Sequence, residues 1–183
     1  MQPVIYPVNK AKLLAELTEE RFIRKTNKGG NEIYSFNAFN SPNLMKEVGR
    51  LRELTFRTAG GGTGKEVDID PFDVDEQVPY QQLIVWDPKE QEILGGYRYI
   101  LCDNLPLNQE GEPNLATTEL FRFSEAFKKQ YLTKMIELGR LSYNLCTSLQ
   151  KWDANPCSLW ITCGTVWALL PWRIRVWNTS SGK

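Results

Sequence analysis

Apolar positions recur along the first 140 residues with two spacings, one helical and one strand-like. Asn9 to Leu17 predicts a short helix, with Asn9 as its cap and Leu13, Leu14 and Leu17 on one side. Arg21 to Thr26 and Glu32 to Phe36 flank Asn27-Lys28-Gly29-Gly30-Asn31, a hairpin signal. Ser41-Pro42 opens the strongest helix in the chain, a serine cap followed by proline at the first helical position. Leu44, Val48, Leu51 and Thr55 follow at helical spacing, and Gly60 to Gly62 ends the run. Gln82 to Trp86 and Ile93 to Leu101 read as strands joined by the turn Asp87-Pro88-Lys89-Glu90. Asn104 to Asn114 is a polar loop, and Ser124 caps a second amphipathic helix through Leu132. That helix leads into Met135 to Arg140, a short buried strand carrying one carboxylate and one guanidinium. Hairpins interspersed with helices predict a mixed α/β (α+β) domain rather than a regular βαβ winding.

The pattern breaks after Arg140. Five of the six tryptophans and three of the four cysteines fall in Leu141 to Lys183, which holds only one acidic residue, Asp153. No period of 3.6 or 2 is sustained there. The expected division is therefore residues 1–140 as the body of one domain and 141–183 as an atypical tail.

Charge adds little to this picture. Lysines plus arginines number 22 and aspartates plus glutamates 22, so no global field favours nucleic acid or an anionic surface. The absence of histidine matters more, because it removes Ser-His-Asp triads, Cys-His pairs, histidine metal ligands and a histidine base. Acid-base work is left to carboxylates, Lys, Tyr or thiols. The start lacks the regions of a signal peptide, no apolar run is long enough to span a bilayer, and Cys102, Cys146, Cys157 and Cys163 show no CxxC spacing. Free thiols in the cytoplasm is the expectation.

Ala59-Gly60-Gly61-Gly62-Thr63-Gly64-Lys65 departs from a phosphate-binding loop. The pattern wants glycine at Ala59 and Ser or Thr at Glu66, and it should follow a strand. A flexible loop ending the helix is the expected reading. Asp68, Asp70 and Asp73 crowd three carboxylates into six residues, which alone suggests a solvated acidic loop. Arg52 and Phe56 lie one helical turn apart and share a face. Arg98 sits in a strand between Ile93-Leu94 and Ile100-Leu101. Singly, each arginine fits a solvent face. Together, Arg52, Arg98 and Arg140 have the charge to neutralise Asp68, Asp70, Asp73 and Glu137 around one cleft. No metal set is expected.

This ordered set resembles the acyltransferases related to acyl-homoserine lactone synthases, within the GNAT superfamily. Arg52 and Phe56 match an Arg-x-x-x-Phe element. Asp68, Asp70 and Asp73 match an acidic run, Arg98 a hairpin arginine, and Glu137 with Arg140 a Glu-x-x-Arg strand. Over 8–140 the chain is similar to bacterial N-acyltransferases of ornithine- or glycine-type aminolipids, often labelled haemolysin-like. The resemblance implies transfer of a long-chain, often 3-hydroxylated, acyl group from acyl carrier protein, or from acyl-coenzyme A, to the α-amine of an amino acid. It implies no bound cofactor, Glu137, Arg140 and Arg98 at the reacting centre, and Arg52, Phe56, Asp68, Asp70 and Asp73 around the acceptor. Acyl carrier protein and the amino acid are the partners implied, with no nucleic acid. The lipid product implies a cytoplasmic protein able to sit at the inner face of the inner membrane.

After Arg140 the resemblance expects a strand end and a Gly/Arg/Lys loop opening a helix, to cradle the donor's phosphate. Leu141-Ser142-Tyr143-Asn144-Leu145 stands there instead. Synonymous codons for the tail, read from the third base of the Leu141 codon, can spell such a segment, so an out-of-frame tail is expected. Three other readings stay open: a lactone synthase using S-adenosylmethionine, an acetyl-coenzyme A enzyme of the same superfamily, and a truncated, non-catalytic remnant.

Overall fold

The computed structural model describes residues 1–27, 29–103, 105–108 and 111–144. The elements run α1 (Lys10–Glu16), β1 (Phe22–Lys25), β2 (Glu32–Phe36), α2 (Pro42–Thr58), β3 (Gln81–Asp87) and β4 (Glu92–Leu101). A 3₁₀ turn (Ala116–Glu119), α3 (Glu125–Gln130), a second 3₁₀ turn (Leu132–Lys134) and β5 (Ile136–Tyr143) follow. The strands form one antiparallel sheet in the order β1-β2-β3-β4-β5. The mixed α/β class is as the periodicity predicts. The second helix stops at Gln130 rather than Leu132, and a 3₁₀ turn carries the chain on to β5.

Helix α2 lies across one sheet face. Its Leu44, Met45, Val48 and Leu51 are buried in one cluster with Tyr34 and Phe36 of β2, Ile84 and Trp86 of β3, Ile93 of β4 and Leu13 of α1. Each side chain fully buried in this way contributes roughly 1.5–3 kcal/mol, so docking of α2 is driven mainly by this stripe. A second cluster (Tyr80, Ile100, Cys102, Leu115 and Leu132) packs the chain after β4 against the end of the sheet. Its residues bring the 3₁₀ turn Ala116–Glu119 towards β5.

Two local expectations are corrected. Ser41 stands at the N-cap of α2, but its side chain makes no capping bond. The Ser41 hydroxyl donates to Asn40 Oδ1 at 3.0 Å instead. Glu16, from the end of α1, accepts from the Asn43 and Leu44 backbone N–H groups at 3.0 and 2.8 Å. A carboxylate at a helix start satisfies orphan donors and meets the positive end of the dipole. The glycine-rich loop after α2 is not loose either. It wraps Glu53, a fully buried carboxylate that accepts from Thr63 N at 3.0 Å, Thr63 Oγ1 at 2.6 Å and Gly64 N at 2.8 Å. Arg57 completes the set at 2.6 Å, and the phosphate-loop pattern fails for a second reason: this loop already holds an anion of its own.

β5 continues past Arg140 to Tyr143, whose backbone N–H and carbonyl both meet the Thr55 hydroxyl of α2. The expected donor loop and the remainder of the suspected out-of-frame tail, from residue 145 on, lie outside the described residues.

Candidate active site

The acidic run after α2 passes close to that helix. Gly49 makes room for it: a Cβ there would stand 2.8 Å from the Ile69 side chain. Asp68 N donates to the Gly49 carbonyl at 3.0 Å, which pins the run against the helix. The three aspartates then turn inward, and the solvated-loop reading is overturned.

They meet the three arginines in an alternating ladder. Arg52 donates to Asp73 at 2.9 Å and to Gln82 Oε1 at 2.6 Å, and Gln82 Nε2 returns to Asp73 Oδ1 at 3.0 Å. Arg98 lies 3.3 Å from Asp73 and donates to both Asp70 oxygens at 2.7 Å. Arg140 donates to both Asp68 oxygens, at 2.9 and 2.8 Å, and to Asp70 at 3.1 Å. Arg52 and Arg98 are buried, and only Arg140, with 31% of its side chain exposed, reaches water. The solvent-face reading of these arginines is therefore wrong. The Phe56 ring lies under Arg140, its centroid 5.9 Å from the guanidinium carbon. All of Arg52, Phe56, Asp68, Asp70, Asp73, Arg98 and Arg140 thus come together.

Burial is the largest influence on the Asp68 and Asp70 carboxyls. It pushes Asp68 up, and Arg140 and Arg52 offset that only in part. It acts the same way on Asp70, but the hydrogen bonds and charge of Arg98, with Arg140 beyond, outweigh it and hold Asp70 below the usual range. Three cations and three anions cancel, so the ladder orders the site without giving it a net charge.

Glu137 does not join the ladder, and this corrects the expected neutralisation by arginine. Among the described residues it forms no ion pair. It is 8% exposed, and two neutral hydroxyls hold it: Tyr80 donates to Oε1 and Thr117 to Oε2, each at 2.9 Å. Ala116 N–H donates in turn to the Tyr80 oxygen at 2.9 Å. Burial pushes the Tyr80 phenol up, and the neighbouring Glu137 charge adds to this against the opposing Ala116 bond, so Tyr80 stays a donor. Arg98 covers the Tyr80 ring, 4.6 Å from its centroid, and so links Glu137 to the ladder through an aromatic ring.

The geometry of β5 explains how Glu137 and Arg140 share a face. On a regular strand, residues three apart point opposite ways. Pairing with β4 runs from Leu101↔Ile136 to Arg98↔Gly139, then resumes at Gly96↔Ser142. Arg140 and Leu141 therefore both oppose Tyr97, a β-bulge. Arg140 takes a left-handed φ of 54° there, a conformation costing an L-residue about 1–2 kcal/mol. Its bonds to Asp68 and Asp70 offset that cost.

Tyr80, Thr117, Gln82 and Glu53 carry functions in the structure that the sequence pattern does not flag. Only Glu53 had a legible signal, the Arg57 four residues on. Cys102, the one thiol among the described residues, is pushed up to about 11 by burial and stays protonated. No group of three or more His, Cys, Asp or Glu among the described residues is arranged to hold a metal. No described helix is long and apolar enough to cross a membrane.

The antiparallel sheet crossed by one long helix, with a held carboxylate on its last strand, belongs to a domain of acyltransferase type. Residues 51–144 match the acetyltransferase (GNAT) domain, and the chain belongs to that family. It is 55% identical over 140 residues to a glycine N(alpha)-acyltransferase of Phocaeicola vulgatus, covering 76% of this chain and 43% of that protein. It is 48% identical over 175 residues to a glycine N(alpha)-acyltransferase of Bacteroides thetaiotaomicron, covering 93% of this chain and 52% of that protein. The chain spans about half the length of these curated relatives. No solved structure matches it.

Proposed function

We propose that this chain is an amino-acid N-acyltransferase, or the acceptor-activating part of one, that transfers a long-chain, often 3-hydroxylated, acyl group from acyl carrier protein to the α-amine of glycine. The observation that carries this reading is Glu137, buried on β5 with both oxygens fixed by hydroxyls and, among the described residues, no ion-pair partner. The names of the two relatives support glycine as the acceptor and N-acylation as the reaction. The thioester donor follows from the resemblance of the Arg52-to-Arg140 set.

In this reading Glu137 takes a proton from the acceptor's ammonium, directly or through one water. The free amine attacks the thioester carbonyl carbon and a C–N bond forms. The carbonyl oxygen carries the negative charge of the tetrahedral intermediate, held by backbone N–H groups of β5, where each donor is worth about 3 kcal/mol. Collapse breaks the C–S bond, and the extra proton on the attacking nitrogen passes to the leaving thiolate, which gives a neutral amide and a free thiol. A placed base of this kind contributes roughly 10²–10⁴-fold. Arg98 and Arg140 act by holding the acidic run, and Asp68, Asp70 and Asp73 by fixing those arginines. A lipid product would put the enzyme at the inner face of the membrane.

The test is acyl transfer by the purified chain to glycine, with long-chain acyl carrier protein set against acetyl-coenzyme A. Glu137→Gln should lose turnover while melting as the parent does. A near-normal rate in that variant would remove Glu137 as the base. Preference for acetyl-coenzyme A would overturn the donor, and no product with any donor would favour the non-catalytic reading of the chain.

A further inference from the structure

We propose that the 3₁₀ turn Ala116–Glu119, together with Tyr80, fixes the working orientation of Glu137, with Thr117 and Tyr80 as positioning residues for acyl transfer. The catalytic part of this inference rests on the role given to Glu137 above. A free glutamate side chain has several rotamers, and holding it in one costs conformational entropy. The turn meets that cost from both sides. Its Ala116 N–H occupies the Tyr80 oxygen, so the phenol's hydrogen is directed to Glu137 Oε1. Its Thr117 hydroxyl takes Oε2. The polarity of this chain runs one way, from backbone N–H through phenol to carboxylate.

Four facts favour positioning over simple core filling. Each carboxylate oxygen has two lone pairs, and each hydroxyl takes only one, so each oxygen keeps capacity to accept a further hydrogen bond. Among the described residues, the neighbouring arginines are bound elsewhere and the neighbouring thiol is buried. Arg98 of β4 lies over the Tyr80 ring while bonded to Asp70, Arg140 of β5 is bonded to Asp68 and Asp70, and Cys102 is a buried thiol. Neutral hydroxyls orient a carboxylate through hydrogen bonds without placing a charge beside it. Furthermore, both partners come from far away in the chain, 57 and 20 residues from Glu137. The turn therefore reports to Glu137 whether the segment after β4 is docked.

The experiment compares Thr117→Val, which keeps the side-chain shape but removes the donor, with Thr117→Ser, which restores it. In the full chain, NMR three-bond couplings along the Glu137 side chain should show one rotamer in the parent and in Thr117→Ser. Averaged rotamers are expected in Thr117→Val at an unchanged melting temperature. In the same proteins kcat should fall about tenfold in Thr117→Val with the acceptor KM nearly unchanged, the worth of one hydrogen bond to a charged group. Thr117→Ser should recover it. Parent-like couplings in Thr117→Val overturn the proposal, as do equal losses in the Val and Ser variants. The couplings do not depend on turnover, so a Glu137→Gln variant that keeps its rate would sink the base assignment separately.

Discussion

Arg52 of α2 and Asp73 of the acidic run lie 2.9 Å apart, with neither side chain more than 1% exposed. Each is the other's means of staying charged out of water. A buried pair of this kind is a weak stabiliser, yet removing one partner is costly, because the other is left as an uncompensated charge. Asp73→Ala should therefore cost about 3–5 kcal/mol in urea unfolding. Arg52→Ala combined with Asp73→Ala should cost clearly less than the sum of the two single changes. Additive losses in that cycle would show that the pair is not coupled.

Glu53 gives a pH dependence. Burial pushes its carboxyl up, but bonds from Thr63, Arg57 and Gly64 outweigh this and bring it from 4.5 down to about 2. A folded-state value below the unfolded one means stability that is full above about pH 4.5 and lost as the pH falls towards 2. The contribution at neutral pH is roughly 3 kcal/mol. Glu53→Gln should lower the urea midpoint at pH 7 and flatten its fall between pH 5 and 2. Parallel curves for parent and variant would refute this account of the loop.

Glu16→Ala removes the cap that Ser41 does not provide. The loss exposes the N–H groups of Asn43 and Leu44 and the side-chain amide of Asn43. A cost of about 1–2 kcal/mol is expected, whereas Ser41→Ala should change the helix start far less. The reverse ranking in thermal melts would restore serine as the cap.

Gly96 tests how closely the strands approach. A Cβ there would stand 2.3 Å from the Leu83 carbonyl oxygen and 3.1 Å from Ile84 Cα. These are backbone atoms of the neighbouring strand, so relief requires the sheet to shift. Gly96→Ala should cost about 1–3 kcal/mol, measurable by denaturant unfolding. A variant as stable as the parent would mean that β3 and β4 part easily at this point.

Much of the fold was legible because it is local. The stripe Leu44, Val48, Leu51 and Thr55 and the hairpin turns state their own periods. The ladder was legible for a different reason: three arginines and three aspartates at set spacings have few ways to be buried except together. Glu137 was found as a charge on an apolar strand, but its partners were not. Tyr80 and Thr117 become neighbours only through tertiary packing, and a hydroxyl in a sequence carries no sign of what it will donate to. The shared face of Glu137 and Arg140 ran against the period of a strand. It holds only because of a bulge that apolar patterning does not announce.

That bulge makes β5 a ruler. The aim of Arg140 depends on the number of residues between Gly139 and Ser142, independently of what they are. Loss of Leu141 would let the ladder of β4 and β5 close without a break, and Arg140 would swing to the opposite face. Asp68 would then be left in the interior without its closest cation. Substitutions along this stretch can be absorbed one side chain at a time, but a change of length by one residue dismantles the site at a stroke.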